Sequence, residues 1–296
     1  MKSTDQETNK PRLDPSNLRL WVAILLFMFF FQDVVIPKSV LIRFVDHLLY
    51  GLIFQFIPKL FEPLVLIQQG LTYLILAWLF LRSVHRPMGS IGASSDAWKT
   101  GITWGLGALA ASAILLFVSG GIIAGFDHTP ALFGFLPAQI AQLFKAFGRE
   151  LCFRAFLQTS VVLLALRYIK SNQTASLLGI IVSTLFFVVI QGPELAQVGL
   201  HGMSLVGALI HTSLIFGLLI SVIYAITNNI VLVSMIHGGF YFMSYWTVDG
   251  IYPLFPVHLF LVLVAAICLV AVKSNPQALG DKPLAMQVQP PMLHKG

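Results

Sequence analysis

Of 296 residues, 57% are hydrophobic and only 10% charged, with a mean hydropathy of +0.85; a soluble domain carries roughly 25% charged residues. Those proportions exclude a water-soluble globular domain and place the chain among polytopic membrane proteins. The net charge of +6 does not imply a nucleic-acid partner, because Lys and Arg gather at the ends of apolar runs, where they set membrane topology. Cys152 and Cys268 both lie inside apolar runs, which argues against a disulfide framework and gives no metal-ligand spacing.

In chain order, residues 1–17 form a polar tail that is too long and too acidic for a signal-peptide n-region. The apolar run from Leu18 lacks a small-residue cleavage site and reads as a retained first span. In segment 39–58, Arg43, Asp46, His47 and Tyr50 fall at i, i+3, i+4 and i+7, a single polar stripe that predicts an interfacial helix, with a ninth span as the competing reading. Apolar stretches near the about 20 residues that cross a bilayer follow at 63–81, 102–125, 136–166, 174–191, 205–226, 229–246 and 256–273. The expectation is an all-α bundle of eight transmembrane helices over 18–273, with a Pro-rich, aperiodic tail over 274–296. No internal repeat is visible.

Loop charges support the even count. Arg82, Arg86, Lys99, Arg167, Lys170, Lys273 and Lys282 fall on one side with the N-terminal Lys2, Lys10 and Arg12, whereas loops near 126–135, 192–204 and 247–255 contain no Lys or Arg. The positive-inside rule then places both termini in the cytoplasm, and a bacterial inner membrane is the expected location. Lys38, Arg43 and Lys59 dissent, falling on the outer side.

Against this background the stretch RELCFRAFLQ, residues 149–158, is unusual. A charge near a bilayer centre costs about 2.5–3.5 kcal/mol on insertion scales, so Arg149, Glu150 and Arg154 mark either a functional site or an interhelical lock. Glu150 and Arg154 are four apart and share a helix face, where they can pair. Arg149 is turned about 100° away from Glu150. Gln191 closes the fifth span ahead of Gly192-Pro193, and His211 and His237 lie within the sixth and seventh. A lone buried histidine is ordinarily a packing group; a Glu, an Arg, a Gln and a His from three spans are what a convergent catalytic pocket needs.

These stretches resemble the CPBP family of membrane proteins, which includes the CAAX prenyl endopeptidases and the Abi proteins. Its Glu-Glu-x-x-x-Arg motif is similar to RELCFRAFLQ, its Phe-x-x-x-His motif to Phe187-Val-Val-Ile-Gln191, and its turn followed by His-x-x-x-Asn to the segment ending in ITNNIVLVSMIHGGFY. The resemblance spans about residues 136–245. It implies a helical CAAX-protease-like bundle and peptide-bond hydrolysis in or near the membrane by a glutamate-type mechanism. Glu150, Arg154 and His237 stand at retained motif positions. Arg149 replaces the glutamate implied to activate water, Gln191 the assisting histidine, and Tyr241 the asparagine implied to hold the oxyanion.

The substitutions matter chemically. Arginine stays protonated at any physiological pH and cannot serve as the base that a water nucleophile requires. Glutamine orients a water but has no titratable proton. Tyr241 retains an O–H donor for an oxyanion, which makes that change the mildest. Two functions follow: a working peptidase whose constellation has shifted to Glu150 and His237, or a pseudoprotease that binds membrane peptides or partner proteins without cleaving them. A transporter would show inverted repeats or matching broken helices, and neither is evident. The expected partners are the bilayer and a membrane peptide, prenylated peptide or partner membrane protein. No cofactor or metal is expected, since His201, His211, His237 and Glu150 include no pair at the i, i+4 spacing of a zinc helix.

Overall fold

The computed structural model describes residues 61–83, 91–118, 129–169, 171–197 and 201–244, with residues 24, 267 and 271. All regular structure among them is helical. Helix α1 spans Phe61–Ser83 and α2 Ser95–Val118. Helix α3, Thr129–Glu150, continues without a break into a π-helical stretch, π1, Leu151–Gln158, and then α4, Thr159–Ala165. Helix α5 covers Asn172–Gln197. Helix α6, Gly202–Ala208, passes through a second π-helical stretch, π2, Leu209–Ile215, into α7, Phe216–Thr227, and α8 spans Ile230–Ser244. These six helical rods coincide with the expected second to seventh spans. The expected first and eighth spans, segment 39–58 and the C-terminal tail lie outside the described residues.

Three boundaries differ from expectation, one of them the start of α3, which lies at Thr129 rather than residue 136. The third span was expected from residue 102, but α2 starts at Ser95, because the Ser94 hydroxyl accepts a hydrogen bond from the Ala97 amide at 3.2 Å and caps the helix early. The fifth span was expected to stop at Gln191, with Gly192-Pro193 in a loop; instead α5 runs through both to Gln197. Proline removes one backbone donor, a loss that membrane helices accommodate because neighbouring groups satisfy the freed carbonyl.

The contacts fix helix directions. Helix α1 runs parallel to α3 and π1: Gly70 lies against Phe144, Tyr73 against Gly148 and Cys152, and Phe80 against Phe156. π1 is parallel to α7, with Arg154 bonded to Gly217 and Gln158 to Ser221. α5 is antiparallel to both, Phe187 meeting Gly217 and Thr184 meeting Ser221. α2 parallels α8, since Gly101 abuts Val231 and Gly105 abuts Met235. Three rods therefore run one way and three the other, as consecutive spans must.

Apolar side chains fill the interior and also cover the outside of the helices. On α5, Leu177, Ile181, Leu185 and Val189 form an exposed stripe, while Ser183 and Thr184 are buried. Without water outside, no hydrophobic gain holds such helices together; close van der Waals contact and interhelical hydrogen bonds do. The α1–α3 crossing shows this. A Cβ on Gly148 would come 2.8 Å from both the Gly70 carbonyl oxygen and the Tyr73 Cβ. Gly148→Val is therefore expected to cost about 1–3 kcal/mol by overpacking, read as a lower midpoint in reversible detergent unfolding.

The α7–α8 turn is built on two asparagines. Asn228 adopts a left-handed conformation (φ 44°, ψ 38°), which Asn tolerates better than any other residue with a Cβ. Asn229 then caps α8: its Oδ1 accepts the Leu232 amide at 3.0 Å, and its Nδ2 donates to the Ala97 carbonyl at 3.0 Å. Asn228→Gly is expected to keep the fold within about 0.5 kcal/mol, while Asn228→Val should cost about 1–2 kcal/mol through the left-handed penalty, in the same unfolding assay.

Candidate functional site

Of the polar groups singled out in the sequence, Glu150, Arg154 and His237 meet. Polar side chains stack in layers along π1, the two lower layers drawing on π1, α5 and α7. In the lowest layer, Gln158 Nε2 donates to the Ser221 carbonyl at 3.0 Å, and the Ser221 and Thr184 hydroxyls lie 3.0 Å apart. One turn along, Arg154 Nη1 donates to Ser183 Oγ at 3.3 Å and Nη2 to the Gly217 carbonyl at 3.2 Å. Ser183 ties the two layers together, since its hydroxyl lies 3.4 Å from both Gln158 Oε1 and Ser221 Oγ.

The upper layer holds the motif residues. Arg154 Nε donates to Glu150 Oε2 at 3.0 Å, the i, i+4 pair that the spacing predicts. The other carboxylate oxygen, Oε1, lies 2.6 Å from His237 Nδ1 of α8. With Glu150 ionised, that contact makes Nδ1 the protonated ring nitrogen. All three residues are buried, and the His237 ring is held edge-on between Phe216 and Phe187, at centroid distances of 5.4 Å and 5.9 Å. Arg149 is also fully buried. Its guanidinium lies 5.9 Å from the Phe187 ring, and that of Arg154 lies 5.4 Å from the same ring.

Gln191 is buried one turn beyond Phe187 on α5, which brings it toward the Arg149 end of the cluster. Tyr241 lies on α8 one turn after His237, but its side chain is outside the described residues, as is that of His211 in π2. His201 is exposed ahead of α6, remote from any role as a ligand beside Glu150. Among the described residues, no three His, Cys, Asp or Glu side chains converge.

Several members escaped the sequence reading. Ser183, Thr184 and Ser221 are ordinary hydroxyls in apolar helices, and only the tertiary register sets them against Arg154. Gln158 closes the RELCFRAFLQ stretch, and its i, i+4 spacing from Arg154 is a legible signal. The π-helical turns were not legible. In π1 the Thr159 amide bonds to the Arg154 carbonyl, five residues back, and the Thr159 hydroxyl reaches the same oxygen at 3.2 Å. Such turns recur at functional sites, where the widened helix re-aims side chains.

The sequence that carries this cluster matches a known family. Residues 129–243, which contain the motif positions from Arg149 to Tyr241, match the family described as type II CAAX prenyl endopeptidase Rce1-like. No curated protein and no solved structure matches the chain. Over residues 129–243, all of whose described regular structure is helical, the chain is similar to this endopeptidase family, which supports the resemblance of its motifs to the CPBP membrane proteins.

Proposed function

We propose that the protein is a CAAX-protease-type membrane scaffold that receives a membrane peptide but has lost the family's route to hydrolysing it. One observation carries this reading: the base position is occupied by the buried Arg149, while the neighbouring Glu150 spends both oxygens on Arg154 and His237. A water-activating base needs a lone pair facing the substrate. Glu150 would have to surrender a charge-assisted contact to offer one. Gln191 adds hydrogen bonding without proton transfer. The layered hydroxyls beneath supply rigidity to the scaffold.

Arg82 and Arg167 end parallel rods, and Lys99 opens α2 at that same end of the bundle, with Trp78, Trp98 and Tyr168 exposed beside them. Such a mixed basic and aromatic girdle is typical of a membrane interface, and under the positive-inside rule this end faces the cytoplasm. Both termini then lie on the cytoplasmic side of a bacterial inner membrane.

A second reading has its own support. The 2.6 Å contact between Glu150 and His237 Nδ1 is the way a carboxylate orients a histidine for acid–base work, so His237 Nε2 would act as the base. Purified protein in liposomes, incubated with membrane-tethered and prenylated peptides and assayed by mass spectrometry, separates the two. No cleavage is expected. Cleavage that disappears in both Glu150→Ala and His237→Ala would overturn the pseudoprotease reading and establish the relocated dyad.

A further inference from the structure

Away from the Glu150 cluster, the α7–α8 turn holds a polar side chain that packing alone does not explain. Asn228 is 0% exposed, and neither its Oδ1 nor its Nδ2 makes a hydrogen bond. The left-handed backbone accounts for the tolerance of asparagine there, but not for the burial of its amide, since glycine adopts the same conformation with no polar group to desolvate. A buried donor or acceptor left unbonded costs about 1–3 kcal/mol. Which way the amide is turned does not matter, because both of its ends lack a partner.

The segment leading into α2 closes over this turn. Ile91 is 0% exposed, and Gly92 presses so near that a Cβ there would overlap the Asn228 carbonyl. The Ile230 amide donates to the Gly92 carbonyl at 3.2 Å, the Tyr224 hydroxyl to the Ile91 carbonyl at 3.4 Å, and the Asn229 amide to Thr227 Oγ1 at 3.3 Å. All three are long beside the 2.7 Å bond from the Asn228 amide to the Tyr224 carbonyl and the two 3.0 Å bonds of the Asn229 side chain. Tyr224 and Asn228 are four apart on α7 and its cap, and both meet the Ile91–Gly92 peptide. The joint is therefore polar and slack around the Asn228 side chain.

Chemistry narrows what satisfies that amide. A cation answers Oδ1 and is repelled by the Nδ2 hydrogens; an anion meets the reverse conflict. A larger ligand has no way in, because Asn228, Ile91 and Ile230 are all fully buried. Water is small and both donates and accepts, and a buried water typically makes about three hydrogen bonds to groups that otherwise lack partners.

We infer that the Asn228 amide is the seat of one tightly held water that bonds the α7–α8 turn to the Ile91–Gly92 segment. The water donates to Oδ1, accepts from Nδ2, and gives its second hydrogen to the Ile91 carbonyl, whose other lone pair takes the long Tyr224 contact. This bridge completes the joint that fixes the first turn of α8, the helix that carries His237 about 10 Å further along at 1.5 Å per residue. It does not rest on the peptide-binding reading.

The test is X-ray radiolytic footprinting of the full chain in lipid nanodiscs, in which hydroxyl radicals form from water in place and mass spectrometry reads the oxidised side chains. Ile91 and Ile220 are the same residue type and both 0% exposed, so they form a matched pair. Ile91 is expected to oxidise at least about fivefold faster than Ile220, because an ordered water lies beside it. In Asn228→Gly, which keeps the left-handed turn and removes both amide atoms, Ile91 should fall to the rate of Ile220; Asn228→Ala provides the same comparison in a second background. Equal rates for the two isoleucines in the natural sequence would mean a dry turn and overturn the inference. Fast oxidation of Ile91 that persists in both variants would mean that the segment opens to bulk water, and would overturn it as well.

Discussion

Arg154→Met alone is expected to destabilise the protein by about 3–5 kcal/mol, because breaking one side of a buried ion pair leaves the other charge without compensation. Arg154 makes three buried contacts at once: to Glu150 on its own rod, to Ser183 on α5 and to the Gly217 carbonyl on α7. Its loss therefore removes a tie between three helices as well as a charge. Glu150→Met should cost a similar amount for the complementary reason, and it also strips His237 of its Nδ1 partner. The double variant Glu150→Met/Arg154→Met is expected to be less damaging than the sum of the two, since it leaves neither charge stranded. Ser183→Ala, which deletes a neutral partner, should cost only about 1 kcal/mol. Unfolding midpoints of the four variants in mixed micelles check this. Strict additivity of the two ion-pair substitutions would show that the charges are not coupled.

The sequence made the rods legible because their signal is long and one-sided: six runs of apolar residues reappear as six alternating helices. Boundaries failed where a short-range device outweighed hydropathy. Ser94 starts α2 early by capping it, and Pro193 does not end α5, although in a soluble helix it would be expected to. The site was legible in its charged members, whose cost in a membrane makes them conspicuous in any apolar run. Its hydroxyl members were not, since Ser183, Thr184 and Ser221 join the Arg154 cluster only through helix register, and a serine in an apolar helix most often bonds its own backbone. The Thr227-Asn228-Asn229 turn falls between these cases. Its likeness to the family's turn was visible in the letters, and the physical reason emerges with the backbone: Asn228 fills a left-handed position and Asn229 caps the next helix.

Arg149→Glu combined with Gln191→His and Tyr241→Asn is expected to create peptide-bond hydrolysis where none is expected of the natural sequence, and this is the largest functional change the site predicts. The scaffold should tolerate the exchange electrostatically. Three buried cations and one carboxylate among the described residues become two and two, so the variant carries a better-balanced charge than its parent. The new carboxylate occupies the helix position of Arg149, about 100° around the rod from Glu150. It therefore need not compete for Arg154 Nε or His237 Nδ1, and its lone pairs are available for a water. A positioned base contributes typically about 10²–10⁴-fold, so Arg149→Glu alone should produce a weak reaction, and Gln191→His, which adds an assisting imidazole, should supply most of the remainder. Tyr241→Asn should matter least, because tyrosine already offers a donor for the oxyanion. Product formation from prenylated and merely tethered peptides, followed by mass spectrometry, measures all three steps. A folded triple variant that binds peptide but never cleaves it would mean that the scaffold has lost more than its base. Activity in the triple variant that survives Glu150→Gln would further assign Glu150 to holding Arg154 and His237 in place, since a carboxylate that served as the base could not be replaced by its amide.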